Sequence, residues 1–283
     1  MEERYKPTNI SLLAYVLVAY AIAWLCWFFV ALTGVNAMTN IEAGVVVLLG
    51  GFSPSIAAII FIWRKRDRAY EVDFWQRTFD LRRIKWVWWL PILLLYPLSV
   101  LLAHLISGIP VDTSPLDALL QNPGAMGVTL IFVFLFGPFA EELGWRGYFL
   151  DQLQIRYSAF VASMIVGVVW WGWHLPTIAV EGMFLDATVD PVFLAGYFGT
   201  LLLYSVLFTW VYNNNQRSVM AAILMHFSIN LTSRLIAMPA EIFMITTGVL
   251  IAFVVVILLG YGTKELMREG AFADDFTFVD TVQ

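Results

Sequence analysis

The sequence predicts an all-α, polytopic integral membrane protein with about eight transmembrane helices, and three observations lead there. Of 283 residues, 60% are hydrophobic and 13% are Asp, Glu, Lys or Arg, with a mean hydropathy of +0.79; that leaves too little polar surface to cover a water-soluble globule. The apolar residues number about 170, which at roughly 20 per helix supplies about eight crossings. Stretches free of acidic and basic side chains run over 7–41, 43–63, 86–111, 118–140, 157–180, 191–216, 218–233 and 242–263, again eight. Soluble enzymes, nucleic-acid binders and secreted domains are thereby excluded.

The first stretch follows a short polar start and reads as a retained signal anchor. It holds the single cysteine, Cys26, a small hydrophobe with no partner for an internal disulfide. Between the second and third stretches, residues 64–85 mix many charges with Tyr70, Phe74, Trp75 and Phe79, the pattern of an amphipathic segment lying on the cytoplasmic interface. Trp86, Trp88 and Trp89 then open the third stretch as an aromatic belt, and His104 falls near its outer end as an interfacial residue. The fourth stretch must continue through Glu141, Glu142 and Arg146 to about Leu150, because the apolar residues on both sides otherwise have no place to go. Gly137 and Pro138, one turn before Glu141, predict a kink. The fifth and sixth spans follow, and Asn213 to Gln216 with Arg217 reads as a plain turn. The seventh stretch is short and needs Arg217 and Arg234 to snorkel at its ends. The tail, residues 271–283, is acidic and reads as mobile. No internal repeat, phosphate loop or paired half-helix is present, and the chain reads as a single membrane domain, 1–283.

Orientation follows the basic residues rather than the net charge of −5. If the spans alternate, Arg4, Lys6, Arg64, Lys65, Arg66, Arg68, Arg77, Arg82, Arg83, Lys85, Arg156, Arg217, Lys264 and Arg268 share one side. Opposite connections carry none. Both termini are therefore expected in the cytoplasm, in the cell membrane if the source is prokaryotic.

An ionisable group at membrane depth costs on the order of 3 kcal/mol and is a functional hypothesis until a partner accounts for it. Glu141, Glu142, Arg146, His174 and His226 qualify, with Asn230 as a neutral amide. Antiparallel spans about the turn at Tyr157 and Ser158 put Glu141 and His174 level, roughly 14 Å below the cytoplasmic surface at 1.5 Å per residue. His226, nine residues after Arg217, reaches the same layer, so the site is expected in the cytoplasmic half of the bilayer. Glu142 and Arg146 are i, i+4 neighbours suited to a salt bridge. Glu141 is rotated about 100° away and lacks that partner. His226 and Asn230 share a face, as do Trp170 and His174, and packing of Trp170 is expected to fix the His174 ring.

Such a set suits activation of water against a carbonyl, with Glu141 and His174 taking the proton and His226 and Asn230 facing the oxyanion. A proton-linked transporter is a second use of Glu and His chains in spans. A non-proteolytic scaffold of the same fold is a third.

Glu141-Glu142-x-x-x-Arg146, Trp170-x-x-x-His174 and His226-x-x-x-Asn230, in that order on three spans, resemble the motif series of the type II CAAX prenyl endopeptidases and bacteriocin-processing enzymes, the CPBP intramembrane protease family. The motif-bearing core covers about 126–234. One departure is Trp170, where the family usually has Phe. The resemblance implies an intramembrane endopeptidase with Glu141, His174, His226 and Asn230 catalytic and Glu142, Arg146 and Trp170 supporting. It also implies a peptide or protein substrate, prenylated in some members, at the lipid bilayer, and no nucleic acid. Glu141, His174 and His226 could together hold one divalent metal such as zinc with an open position. No His-Glu-x-x-His helix is present and the same groups suffice without metal, so the metal-free reading is favoured.

Overall fold

The computed structural model describes residues 9–183 and 191–267, and within them each of the eight apolar stretches is helical. The tail 271–283, Arg4, Lys6 and Arg268 lie outside the described residues. Helix α1 spans Asn9–Thr33 and ends at Gly34, whose φ of +64° suits glycine. Along α1 the buried positions are Leu12, Tyr15, Ala19, Ala23, Trp27 and Val30. This stripe at i, i+3 and i+4 places mostly small and aromatic side chains inward while Leu13, Leu17, Leu25 and Leu32 face outward, because apolarity alone cannot choose a face in lipid.

Helices α2 (Ile41–Gly51) and α3 (Ser53–Lys65) are bent by 44° at Phe52 and together have the length of one span. Pro54 sits in the first turn of α3, where its missing N–H costs nothing. The first two apolar stretches are thus divided by the loop at residues 34–40 rather than near residue 42. Helix α4 (Arg68–Phe79) follows, capped by the Asp67 carboxylate, which accepts from Tyr70 N–H at 3.0 Å.

Within residues 64–85, α4 also turns one face inward. Phe74, Arg77 and Thr78 are buried, so α4 is docked onto the helical body. Arg77 donates to Tyr212 Oη (2.6 Å) and Asp73 (2.8 Å), and its guanidinium lies 3.5 Å from Asp151. Burial works against its charge, but Asp151 leads the partners that hold its pKa well above the ordinary arginine value.

Helix α5 spans Trp89–Ser107 and closes at Gly108, φ +72°. His104, near the end of this helix, is buried, with Nδ1 3.0 Å from the Ile109 carbonyl; the chain turning back over the helix end covers it. A short helix, α6 (Ser114–Leu120), leads into α7 (Pro123–Leu153), which runs through Glu141, Glu142 and Arg146 as expected. Two π-helical turns, Leu135–Phe139 and Trp145–Leu150, interrupt α7, and Phe136 leaves helical geometry just before Gly137 and Pro138 (φ −100°, ψ 35°). The predicted kink is there, for the predicted reason: proline cannot donate to the helical ladder.

Helices α8 (Ala159–His174), α9 (Pro191–Asn214), α10 (Val219–Leu235) and α11 (Ala240–Tyr261) complete the fold. The principal neighbours are α8 with α9, α5 with α10 and α11, α1 with α2, and α3 with α7. The α3–α7 approach is the tightest: a Cβ on Gly144 would lie 2.3 Å from the Pro54 carbonyl carbon, so only glycine admits that contact. There too Ser55 Oγ donates to the Ala140 carbonyl at 2.5 Å.

The turn after α9 also departs from expectation. Asn213, Asn214 and Asn215 are buried. Their amides donate to Glu265, Leu266 and Val211 carbonyls at 2.7 Å each. Arg217 does not snorkel; it pairs with the buried carboxylate of Asp151. The turn is a polar knot joining α4, α7, α9 and the segment after α11. By length and composition six helices can cross a membrane, seven if α2 and α3 count as one, and α10 is a shorter apolar helix. The protein is an all-helical, multi-pass membrane protein.

Candidate active site

The π turns of α7 bracket Glu141 and Glu142, a one-residue widening that re-aims side chains and recurs at functional sites. Both glutamates are buried, as are Arg146 and His226. Arg146 Nη1 donates to Glu142 at 2.9 Å, the expected i, i+4 pair. The same carboxylate lies 2.8 Å from His226 Nδ1 on α10. A carboxylate so paired only accepts, so Nδ1 carries a proton and Nε2 is left to face the cavity. Glu142 is therefore a bridge between two helices, one role more than a salt bridge within α7.

Trp170 on α8 touches nearly every member of the set. Its indole N–H donates to Glu141 Oε2 at 2.6 Å. Its ring centroid lies 5.5 Å from His226 and 5.7 Å from His174, and the Arg146 guanidinium stands 4.9 Å over its ring. Its carbonyl, four residues before His174, receives His174 Nδ1 at 2.9 Å. A carbonyl cannot donate, so His174 too is protonated on Nδ1, and its Nε2 is free for chemistry. The fixing of His174 by Trp170 thus uses the backbone as well as the ring. Asn230 approaches from α10: a Cβ on Gly137 would lie 2.9 Å from its Nδ2 and 4.0 Å from Glu141 Oε1. Glycine at the kink lets amide and carboxylate come together.

Helix α9 supplies residues that the pattern of polar groups did not reveal. Phe208 stacks on His226 (5.3 Å between centroids) and lies 4.6 Å from the Arg146 guanidinium, Ser205 Oγ accepts from Arg146 at 3.3 Å, and Tyr197 packs edge-on against His174 at 5.8 Å. Phenylalanine and serine on an apolar span carry no signal of their own. Only the facing helix gives them a role.

Among the described residues no three His, Cys, Asp or Glu side chains form a set able to hold a metal ion. The hydrogen bonds occupy His226 Nδ1, His174 Nδ1 and one oxygen of Glu141, and leave both Nε2 atoms and the second carboxylate oxygen uncommitted.

A kinked, π-bulged helix and its neighbours thus bring carboxylates, imidazoles and an amide together within an all-helical membrane body. Residues 123–232 match the family model described as type II CAAX prenyl endopeptidase Rce1-like. CAAX prenyl protease 2 of Methanococcus maripaludis is 31% identical over 252 residues, covering 87% of this chain and 92% of that protein. The chain belongs to this family of type II CAAX prenyl endopeptidases and is an intramembrane endopeptidase.

Proposed function

We propose that the protein cleaves a carboxyl-terminal, prenylated cysteine-containing tail by attack of a water activated on Glu141 and His174. The observation that carries this reading is the hydrogen-bonded constellation of Glu141 with Trp170 beside Glu142 with His226 and Arg146. The name of the Methanococcus relative supports the choice of substrate. Water yields a proton to Glu141, with His174 Nε2 holding it by a hydrogen bond, and its oxygen attacks the scissile carbonyl carbon. Asn230 Nδ2 and His226 Nε2, when both ring nitrogens are protonated, donate to the oxyanion. Glu142 balances that imidazolium, and Arg146 holds Glu142 in place. Collapse breaks the C–N bond, and the proton passes from Glu141 to the departing amine.

In this reading all eight apolar segments cross the bilayer, both termini are cytoplasmic, and the site opens from the cytoplasmic half. The test is cleavage of a farnesylated peptide reporter by purified protein in proteoliposomes. Glu141→Gln is expected to lower the rate by at least about 100-fold, the scale of a general base, with unchanged thermal stability. Cleavage at the wild-type rate would overturn the assignment of Glu141.

A further inference from the structure

Arg77 stands on α4, outside the span that carries the glutamates, yet its guanidinium ends against the backbone of that span. Both Nη1 and Nη2 donate to the Gly147 carbonyl, at 3.4 and 3.3 Å. Gly147 lies in the second π turn of α7, Trp145–Leu150, and directly follows Arg146. Arg146 bonds Glu142 at 2.9 Å, and Glu142 lies 2.8 Å from His226 Nδ1. An unbroken chain of contacts therefore runs from α4 to the imidazole proposed to face the oxyanion.

A π turn holds one residue more than an α turn, and such an interruption is sustained where a side chain enters the carbonyl ladder. The fork of Arg77 on the Gly147 carbonyl is an entry of that kind. Packing serves the same contact. A Cβ on Gly147 would lie 2.8 Å from Phe74 Cε2 and 3.4 Å from Val219 Cγ2, so α4 and the start of α10 both close on this glycine. If the turn relaxed to an α-helix, the residues at its start would rotate by about 100° relative to those beyond it. The far end is anchored, because Asp151 accepts from Arg217, Tyr70 and Tyr212. The rotation would fall on Arg146 and carry it away from Glu142. Resting on the endopeptidase reading, we infer that Arg77 is a positioning residue for the reaction: by holding the Gly147 carbonyl it keeps the π turn, and with it Arg146, in the phase at which Glu142 reaches His226. Helix α4 is in this way a working part of the active site although none of its side chains touches the reacting atoms.

The experiment measures kcat, KM and the thermal transition on the farnesylated reporter in proteoliposomes. Arg77→Ala is expected to lower kcat by roughly 10- to 100-fold, the scale of a misplacement near 1 Å, with KM within about two-fold of wild type. Arg77→Lys, which returns a donor to the carbonyl, is expected to recover part of the loss. Arg217 binds the same two carboxylates as Arg77, Asp151 and Asp73, from the turn after α9. Arg217→Ala is therefore expected to lower the thermal transition by a similar amount, with kcat within about three-fold of wild type. Gly147→Ala keeps every charge and wedges Phe74 off the turn; it is expected to reproduce the loss in kcat, and it carries the test if Arg77→Ala does not fold. Equal losses of kcat in Arg77→Ala and Arg217→Ala overturn the inference, because the cluster then acts through stability alone. A raised KM with kcat intact overturns it as well and makes α4 a substrate-binding face. Wild-type kcat in Gly147→Ala breaks the link through the π turn. Cleavage that depends on Glu141 and not on Arg77 removes the role of Arg77 and leaves the proposed function standing. If wild-type protein shows no Glu141-dependent cleavage, the proposed function falls first, and the inference with it.

Discussion

Trp170 shows how much one side chain can organise when it has both a flat face and a donor. Its face packs against two histidines and an arginine, and its N–H holds one carboxylate oxygen. Phenylalanine at this position keeps the face and loses the donor. A hydrogen bond to a charged group contributes roughly 1.5–3 kcal/mol. Trp170→Phe is therefore expected to fold normally and to lower kcat/KM on the farnesylated reporter by roughly ten- to a hundred-fold, with no change in cleavage position. An undiminished rate would show that Glu141 needs no indole donor. In the sequence, Trp170 was legible as a neighbour of His174 because i, i+4 geometry is local. Its bond to Glu141, 29 residues away, depends on how α7 and α8 face each other.

At the scale of elements, the unexpected feature is the attachment of α4. Its charges suggested a segment lying on the interface, and beyond that Arg77 is buried among Asp73, Asp151, Tyr212 and the Gly147 carbonyl. Arg77 thereby ties α4 to the second π turn of α7, a few residues past the glutamates. Removing one partner from a buried ionic cluster costs about 3–5 kcal/mol, because the remaining charge stays buried. Arg77→Ala is expected to lower the thermal stability of the detergent-solubilised protein and to make residues 64–85 susceptible to limited proteolysis. Unchanged proteolysis would mean that α4 is held by Phe74 and its neighbours alone. A basic residue in a charged connection reads as a topological signal, which is why the sequence concealed this role.

For the whole molecule, the distribution of lysine and arginine sets a vectorial prediction. The α4 face and the connection from α5 to α7, which carries α6, are expected on opposite sides of the membrane. Both Gln76 and Asp117 are exposed, and each can carry a single cysteine in a Cys26→Ser background. A membrane-impermeant maleimide applied to intact cells is expected to label Asp117→Cys and to reach Gln76→Cys only after permeabilisation. The reverse pattern would invert the topology and place the site in the outer half of the bilayer.

By itself the sequence determined what depends on local periodicity and on the cost of burying charge. The helical class, the positions of the apolar stretches, the extension of the fourth through Glu141 and Arg146, the proline kink and the Glu142–Arg146 pair all follow from spacing along one chain. Tertiary structure alone decided which helix faces meet. In an apolar span every face is equally compatible with lipid, so the choice falls to packing of small against large residues, as at Gly144 on Pro54. That packing set the bridge from Glu142 to His226, the bond from Trp170 to Glu141, the recruitment of Phe208 and Ser205, and the reach of Arg77 to Gly147.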